Sequence, residues 1–199
     1  MIFSRIIAGA ITIIILPSMF LYRVEIKEAV EDWLKPSLPV AQNIEEIAVS
    51  PGDDIEPRDN VLEPLPLEMN LDVPFTPQAP YANWSLPYKE ACEEASVLMV
   101  NSFYTGEELN PEIADKALLA MVKWEEEVFG YYIDTTAEET ARILREYFGY
   151  NRVDVIYDFS IEDIKRHVAD GRPVLLPAVG RLLPNPYLKT TGQLYHMLL

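Results

Sequence analysis

The sequence contains a single cysteine, Cys92, among 199 residues. An intrachain disulfide needs two cysteines, and so does a zinc site of the Cys-x-x-Cys type, so both are excluded. Histidine is also scarce, because only His167 and His196 are present. Any thiol or imidazole chemistry of this chain therefore depends on these three side chains.

Positive charge is limited too. The chain has 16 lysines and arginines against 32 aspartates and glutamates, which gives a formal net charge of −16. Phosphate backbones and anionic lipid repel such an excess of negative charge, so nucleic acid is not an expected partner. Hydrophobic residues make up 49% of the chain, which is enough to form the core of one domain.

One long hydrophobic run is present near the start, at residues 6–22, with the sequence IIAGAITIIILPSMFLY. A membrane-spanning helix needs about 20 residues, so this run is at the short end of the range. We favour an uncleaved anchor over a cleaved signal peptide, because no small-residue cleavage pattern directly follows the run. A buried soluble helix fits less well, since three consecutive isoleucines leave no polar face. Arg5 before the run favours an extracytoplasmic location for the rest of the chain.

Composition divides the chain into three predicted segments. Residues 1–23 form the membrane anchor or signal, residues 24–70 an acidic, proline-rich stalk, and residues 71–199 a folded domain. Residues 50–70 alone contain four prolines and six acidic residues, which leaves few side chains for a core. Such a composition is typical of an extended, solvated linker.

The segment 71–199 has the periodic patterns of secondary structure. A helix is predicted to begin at Cys92, and further helix starts are indicated by Asn110-Pro111, Thr136-x-x-Glu139 and Ser160-x-x-Asp163. The second helix is predicted to bury Ile113, Ala117, Met121 and Trp124. Strands are predicted at 71–75, 152–157, 173–179 and 193–199, and the apolar segment 173–179 is expected to be central in its sheet. Helices precede most strands, so the predicted fold class is α+β.

The position of Cys92 indicates a candidate nucleophile. A thiol attacks as the thiolate, and the unpaired N–H groups of a helix start lower the thiol pKa. The adjacent Glu93 and Glu94 are expected to point to solvent. A small structural cysteine in the core is the alternative.

Two further side chains complete the candidate site. An imidazole such as that of His196 could act as general base, although a lone histidine on an apolar strand is more often structural. Gln78, in the loop before the helix, could donate to a developing oxyanion together with the backbone N–H of Cys92. His167, near the end of a predicted helix, is interpreted as structural.

Four stretches carry a family resemblance: VPFTPQAPYANW, EACEEASVLMV, GRPVLLPAVG and GQLYHMLL. In this order they resemble the papain-like cysteine peptidases, and more narrowly the branch related to the peptidases that trim double-glycine leaders from bacteriocins. The resemblance covers about residues 71–199. It implies a papain-like fold in which a helical part is followed by an antiparallel sheet.

The resemblance also implies roles for individual residues. Cys92 would be the nucleophile, His196 the general base and acid, and Gln78 the oxyanion donor, with hydrolysis of peptide bonds in a peptide or protein substrate and no metal or cofactor. The family usually has Cys-Gly-Pro where this chain has Cys92-Glu93-Glu94. The family's third residue, an Asp or Asn that orients the histidine, follows on a later strand. The chain stops three residues after His196. Another residue could substitute or the site could be impaired, but we favour a truncated sequence in which that residue lies beyond Leu199.

These observations lead to one main hypothesis and two alternatives. The main hypothesis is a membrane-anchored, extracytoplasmic cysteine peptidase. The first alternative is a catalytically impaired papain-like module that binds peptides from a cell-surface stalk, which the missing third residue and the flanking glutamates favour. The second is a structural envelope protein in which Cys92 is only a core residue.

Overall fold

The computed structural model describes residues 64–183 and 194–199. The apolar run at 6–22 and almost all of the predicted stalk lie outside the described residues. In the part that is described, no helix is both long and apolar enough to cross a membrane. The predicted boundaries of anchor, stalk and domain therefore stay predictions.

Four α-helices form most of the described secondary structure. They are α1 (Cys92–Thr105), α2 (Pro111–Val128), α3 (Ala137–Arg142) and α4 (Ile161–Ala169). The predicted start signals are confirmed, because Asn110 accepts hydrogen bonds from two N–H groups of α2 and because Thr136 and Ser160 each form a full capping box. Helix α1 ends at Gly106, whose φ of 71° is the left-handed conformation that glycine adopts most easily.

Helix α3 continues directly into a π-helix, Ile143–Tyr147. The N–H of Phe148 donates to the carbonyl of Ile143, five residues back, at 3.2 Å. This wider turn places both Ile143 and Leu144 in the core.

The core lies where α1, α2 and the π-helix pack together. Its buried members are Ala95, Val97, Leu98, Val100, Ala114, Leu118, Met121, Ile143 and Leu144. Helix α1 contacts α2 on one side and the sheet on another, so it is surrounded by protein along its first half.

The sheet consists, among the described residues, of two antiparallel strands, β1 (Leu176–Val179) and β2 (Tyr195–Leu198). Ala178 lies opposite His196, and Pro177 lies opposite Met197. Helices and a small antiparallel sheet fit the predicted α+β class. Within the described ranges, the sheet has only these two strands.

Three predictions about elements are wrong. Residues 152–157 form no strand. The guanidinium of Arg145 donates to the backbone carbonyl of Val153, and a strand would need this carbonyl for the hydrogen bonds to its neighbour. At 71–75 only Leu71 forms an isolated bridge. Ile113 is 45% exposed rather than buried, because the face of α2 that meets the core passes through Ala114 and Leu118 instead.

Candidate active site

Cys92 is the first residue of α1, as predicted. The 3₁₀ turn Tyr88–Glu90 leads into it, and the first helical hydrogen bond runs from the N–H of Ala95 to the carbonyl of Ala91 at 3.1 Å. The Cys92 side chain is only 6% exposed. A buried helix start of this kind places the sulfur inside the domain and not on an open surface.

Glu93 is the residue whose side chain contacts the sulfur. Its Oε2 atom lies 3.0 Å from the Cys92 Sγ atom, so the thiol donates a hydrogen bond to the carboxyl group. The prediction that Glu93 and Glu94 point to solvent is wrong, because both are essentially fully buried. The physical reason is that α1 packs against both α2 and β2 and that every residue of its first turn is buried.

The electrostatics of Cys92 also differ from the expectation. Burial raises the pKa of the thiol, and the charge of Glu93 and its hydrogen bond raise it further. The backbone N–H of Met197 in β2 acts in the opposite direction, because it faces the sulfur. The predicted lowering of the thiol pKa by the helix start is therefore outweighed in this environment.

Two more carboxyl groups are buried behind Glu93. Burial raises the pKa of Glu93 and that of Glu125 to about 7, and it raises the pKa of Glu94 well above its ordinary value. The charge of Glu125, on α2, raises the pKa of Glu94 further. The side-chain oxygen atoms of Glu94 and Glu125 have no hydrogen-bond partner among the described residues.

Tyr195 connects β2 to this acidic cluster. Its hydroxyl group donates to the backbone carbonyl of Thr135 at 2.8 Å. Burial raises the pKa of the Tyr195 phenol, and the charges of Glu93 and Cys92 raise it further. The side chain of Tyr195 therefore lies close to Glu93 and Cys92. Strand β2 thus meets the candidate nucleophile through Tyr195 and the backbone of Met197.

His196 lies between these two residues in sequence and on the other face of β2, opposite Ala178. It is partly buried, and burial lowers the pKa of its ring, which keeps the imidazole neutral near pH 7. Within residues 64–183 and 194–199, no hydrogen bond joins His196 to Cys92. The structure brings the strand of His196 against the helix of Cys92, and direct pairing of the two side chains stays a prediction.

Gln78 holds the loop that leads to Cys92. Its amide nitrogen donates to the carbonyl of Tyr88 at 2.9 Å and to the carbonyl of Lys89 at 3.0 Å. Gln78 therefore lies next to the turn that precedes the nucleophile, as an oxyanion donor would. Both of its N–H donors are engaged by the backbone in this structure, so the oxyanion role stays a prediction.

A cavity of about 250 Å³ occurs elsewhere in the described domain. It is lined mainly by apolar side chains of the α1, α3 and β1 regions, together with Arg152, His167 and Arg172. Cys92, Glu93 and His196 do not line it, so this cavity is not the candidate site. The part of the chain that the structure describes also has no group of three or more side chains suited to holding a metal ion.

Comparison with known proteins gives one match. A family model described as the Peptidase_C39 like family matches residues 70–197. The chain belongs to this family. No curated protein and no solved structure matches. Membership in the Peptidase_C39-like family confirms the predicted resemblance to cysteine peptidases of the bacteriocin-processing group. It supports a cysteine-peptidase-like domain with a peptide or protein as substrate.

Sequence reasoning missed Glu93 and Tyr195 as parts of the site of this Peptidase_C39-like domain. A signal was available for Glu93, because the small and apolar positions of α1 run almost all the way round the helix. Such a helix is buried on every side, and so are the polar residues in it. The sequence gives no comparable signal for Tyr195, because the alternating pattern of a strand is compatible with several ways of packing that strand against the helices.

Proposed function

We propose that the chain is a cysteine peptidase in which Cys92 attacks the peptide carbonyl and forms an acyl-thioester. The observation that carries this proposal is the environment of the chain's only thiol. It lies in the first turn of a central helix of a Peptidase_C39-like domain and donates a hydrogen bond to a buried carboxyl group. A thiol with a purely structural role needs no such partner. Burying the carboxyl group of Glu93 without a cation is costly, which favours a functional reason for the contact.

The mechanism has two halves. In the first, the sulfur bonds to the acyl carbon and the C–N bond breaks as the amine gains a proton. In the second, water attacks the thioester, and the C–S bond breaks. His196, neutral near pH 7, is proposed to transfer protons in this cycle, and Gln78 to stabilise the oxyanion once it releases one of its two carbonyls.

The location of the enzyme is part of the proposal. The apolar run at 6–22, preceded by Arg5, supports an N-terminal membrane anchor with the domain outside the cytoplasm. The acidic, proline-rich segment at 50–70 would hold the domain away from the membrane surface. Protease accessibility of the domain in intact cells tests this part, because a cytoplasmic domain would stay protected.

The activity is tested with the full-length chain in detergent and fluorescently labelled casein as substrate. Hydrolysis by the wild type and its loss in Cys92→Ala are the expected results. Ser102→Ala is a matched control, since Ser102 is also buried in α1 but lies three turns from the sulfur along the helix. Equal hydrolysis by wild type and Cys92→Ala would rule out the proposed nucleophile.

A second function is favoured by two observations. The pKa of the thiol is raised, and both N–H donors of Gln78 are engaged. These features suit a papain-like domain that grips a peptide without cleaving it. Binding of casein peptides that is the same in wild type and Cys92→Ala, with no cleavage by either, would favour this function over hydrolysis.

A further inference from the structure

The cavity of about 250 Å³ has walls that are mainly apolar and come from α1, α3, the π-helix and both strands. Among the side chains that form these walls are Val100, Ala141, Leu144, Leu176 and Met197. At roughly 30 Å³ for each water-sized group, the volume holds about eight non-hydrogen atoms. Ligand pockets in proteins combine apolar walls of this kind with a few polar groups that orient the ligand.

One end of the cavity carries positive charge. Arg152 and Arg172 both line it, as does Tyr104. Burial raises the pKa of the Tyr104 phenol, whereas the charges of Arg172 and Arg152 act in the opposite direction. Both guanidinium groups therefore lie near the Tyr104 hydroxyl group. Among the described residues, they are the only charged groups that act on this phenol.

The hydrogen-bond donors at this end are not all engaged. The Nε atom of Arg172 is buried and has no partner among the described residues, although Nη2 of the same side chain donates to Asp170 at 2.7 Å. Arg152 takes part in no ion pair within the described ranges. A buried N–H group without an acceptor is costly, so an acceptor on a ligand would stabilise this end of the cavity.

The acidic side chains of the cavity do not cancel this charge at Tyr104. Asp154 and Asp163 also line the cavity, but neither acts on the Tyr104 phenol. Asp163 accepts a hydrogen bond from the Ser160 hydroxyl at 2.7 Å in the capping box of α4, and Asp154 is exposed. The end of the cavity at Tyr104 is therefore suited to an anion.

This end is also separate from the candidate active site. Tyr104 follows Cys92 by twelve residues in α1. At 1.5 Å per residue, that is about 18 Å along the helix axis. A ligand in the cavity and a peptide at the thiol would thus bind at different places.

We propose that this cavity binds a small carboxylate with an apolar tail. The tail lies against Leu144 and Met197, and the carboxylate accepts hydrogen bonds from Arg152, from Arg172 and from the Tyr104 hydroxyl group. A guanidinium group matches the geometry of a carboxylate, and a single negative charge is less costly to desolvate than a phosphate dianion. Two sources share this chemistry: a short free fatty acid and an apolar residue at the C-terminus of a peptide. The proposal does not depend on hydrolysis by Cys92.

Binding is measured by isothermal titration calorimetry with the full-length chain in lipid nanodiscs, because detergent would compete for an apolar cavity. The ligands are octanoate, N-acetyl-leucine and their neutral amides, octanamide and N-acetyl-leucinamide, and the heats from empty nanodiscs are subtracted. At least one acid is expected to bind the wild type about 10-fold or more tightly than its amide, since hydrogen bonds to charged groups are the stronger ones. The acid that binds more tightly identifies the source.

The variants separate the charged end from the apolar walls. Arg152→Gln and Arg172→Gln are each expected to weaken binding of the acid about 10-fold and to leave binding of the amide unchanged. Arg166→Gln is the matched control, because it removes the same charge from α4 at a position that does not line the cavity. Ala137→Phe, which places a ring in the cavity, should abolish binding of acid and amide alike.

Several outcomes would overturn the proposal. No measurable binding of any of the four ligands would do so, and so would equal binding of acids and amides by the wild type. Unchanged binding by Ala137→Phe would place the ligand outside the cavity, and loss of binding in Cys92→Ala would place it at the candidate active site. Should Arg172→Gln not fold, Arg152→Gln decides alone, because its side chain is exposed and has no ion pair to lose.

Discussion

Two opposing effects act on the pKa of the Cys92 thiol. The free N–H groups of a helix start favour a thiolate, but burial and an adjacent carboxyl group oppose it, and here the opposing effects are larger. The protonated thiol is therefore favoured, and it donates a hydrogen bond to Glu93. Glu93 is in contact with the sulfur, whereas His196 lies on the neighbouring strand.

At the scale of single residues, the two histidines provide a matched comparison. His196→Ala is expected to lower kcat/KM for casein by about 100-fold or more, because a proton-transfer group is lost. His167→Ala, in the last turn of α4, is expected to stay near the wild-type value. Similar losses in both variants, with unchanged melting temperatures, would contradict the role of His196.

At the scale of elements, helix α2 combines a buried and an exposed leucine at adjacent positions. Leu118 is 1% exposed and belongs to the core, whereas Leu119 is 41% exposed. Leu118→Ala is expected to reduce the free energy of unfolding by about 2–5 kcal/mol, through lost burial and a remaining cavity. Leu119→Ala should cost much less, and urea denaturation of both variants measures the difference. Equal costs would mean that α2 packs by a different face.

The two capping boxes make a second comparison between elements. Thr136→Ala is expected to lower the free energy of unfolding by about 1 kcal/mol, because α3 leads into the π-helix that contributes Ile143 and Leu144 to the core. Ser160→Ala removes an equivalent cap from α4, a helix with no fully buried residue. It should therefore raise amide hydrogen exchange within α4 with little change in global stability. A larger global loss from Ser160→Ala would contradict this ranking.

At the scale of the whole molecule, the buried carboxyl groups make stability depend on pH. Glu93 and Glu125 have a pKa of about 7 in the folded chain, against an ordinary value of 4.5. The folded state therefore binds these protons more tightly than the unfolded state. Stability is greatest below pH 4.5 as far as these groups are concerned, and it falls as the pH rises from 4.5 to 7.

We therefore expect the melting temperature of the domain to be higher at pH 5.5 than at pH 8.5. Glu125→Gln should reduce this difference in melting temperature, because glutamine has nearly the shape of glutamate but does not titrate. Glu126→Gln, an exposed neighbour, should leave the difference as in the wild type. Thermal denaturation followed by circular dichroism at both pH values measures the effect. A melting temperature that rises with pH would show that these carboxyl groups are solvated in the folded state.

Much of this molecule was determined by local sequence signals. The starts of α1, α2, α3 and α4, the strand at Tyr195 and the α+β class could be predicted, because caps and hydrophobic periodicity act over a few residues. The order of the Gln78, Cys92 and His196 segments was sufficient to predict the family. What the tertiary structure alone decided is the direction of individual side chains around the sulfur. Whether Glu93 faces water or Cys92 depends on how α2 and β2 pack against α1, and those contacts join residues far apart in the sequence.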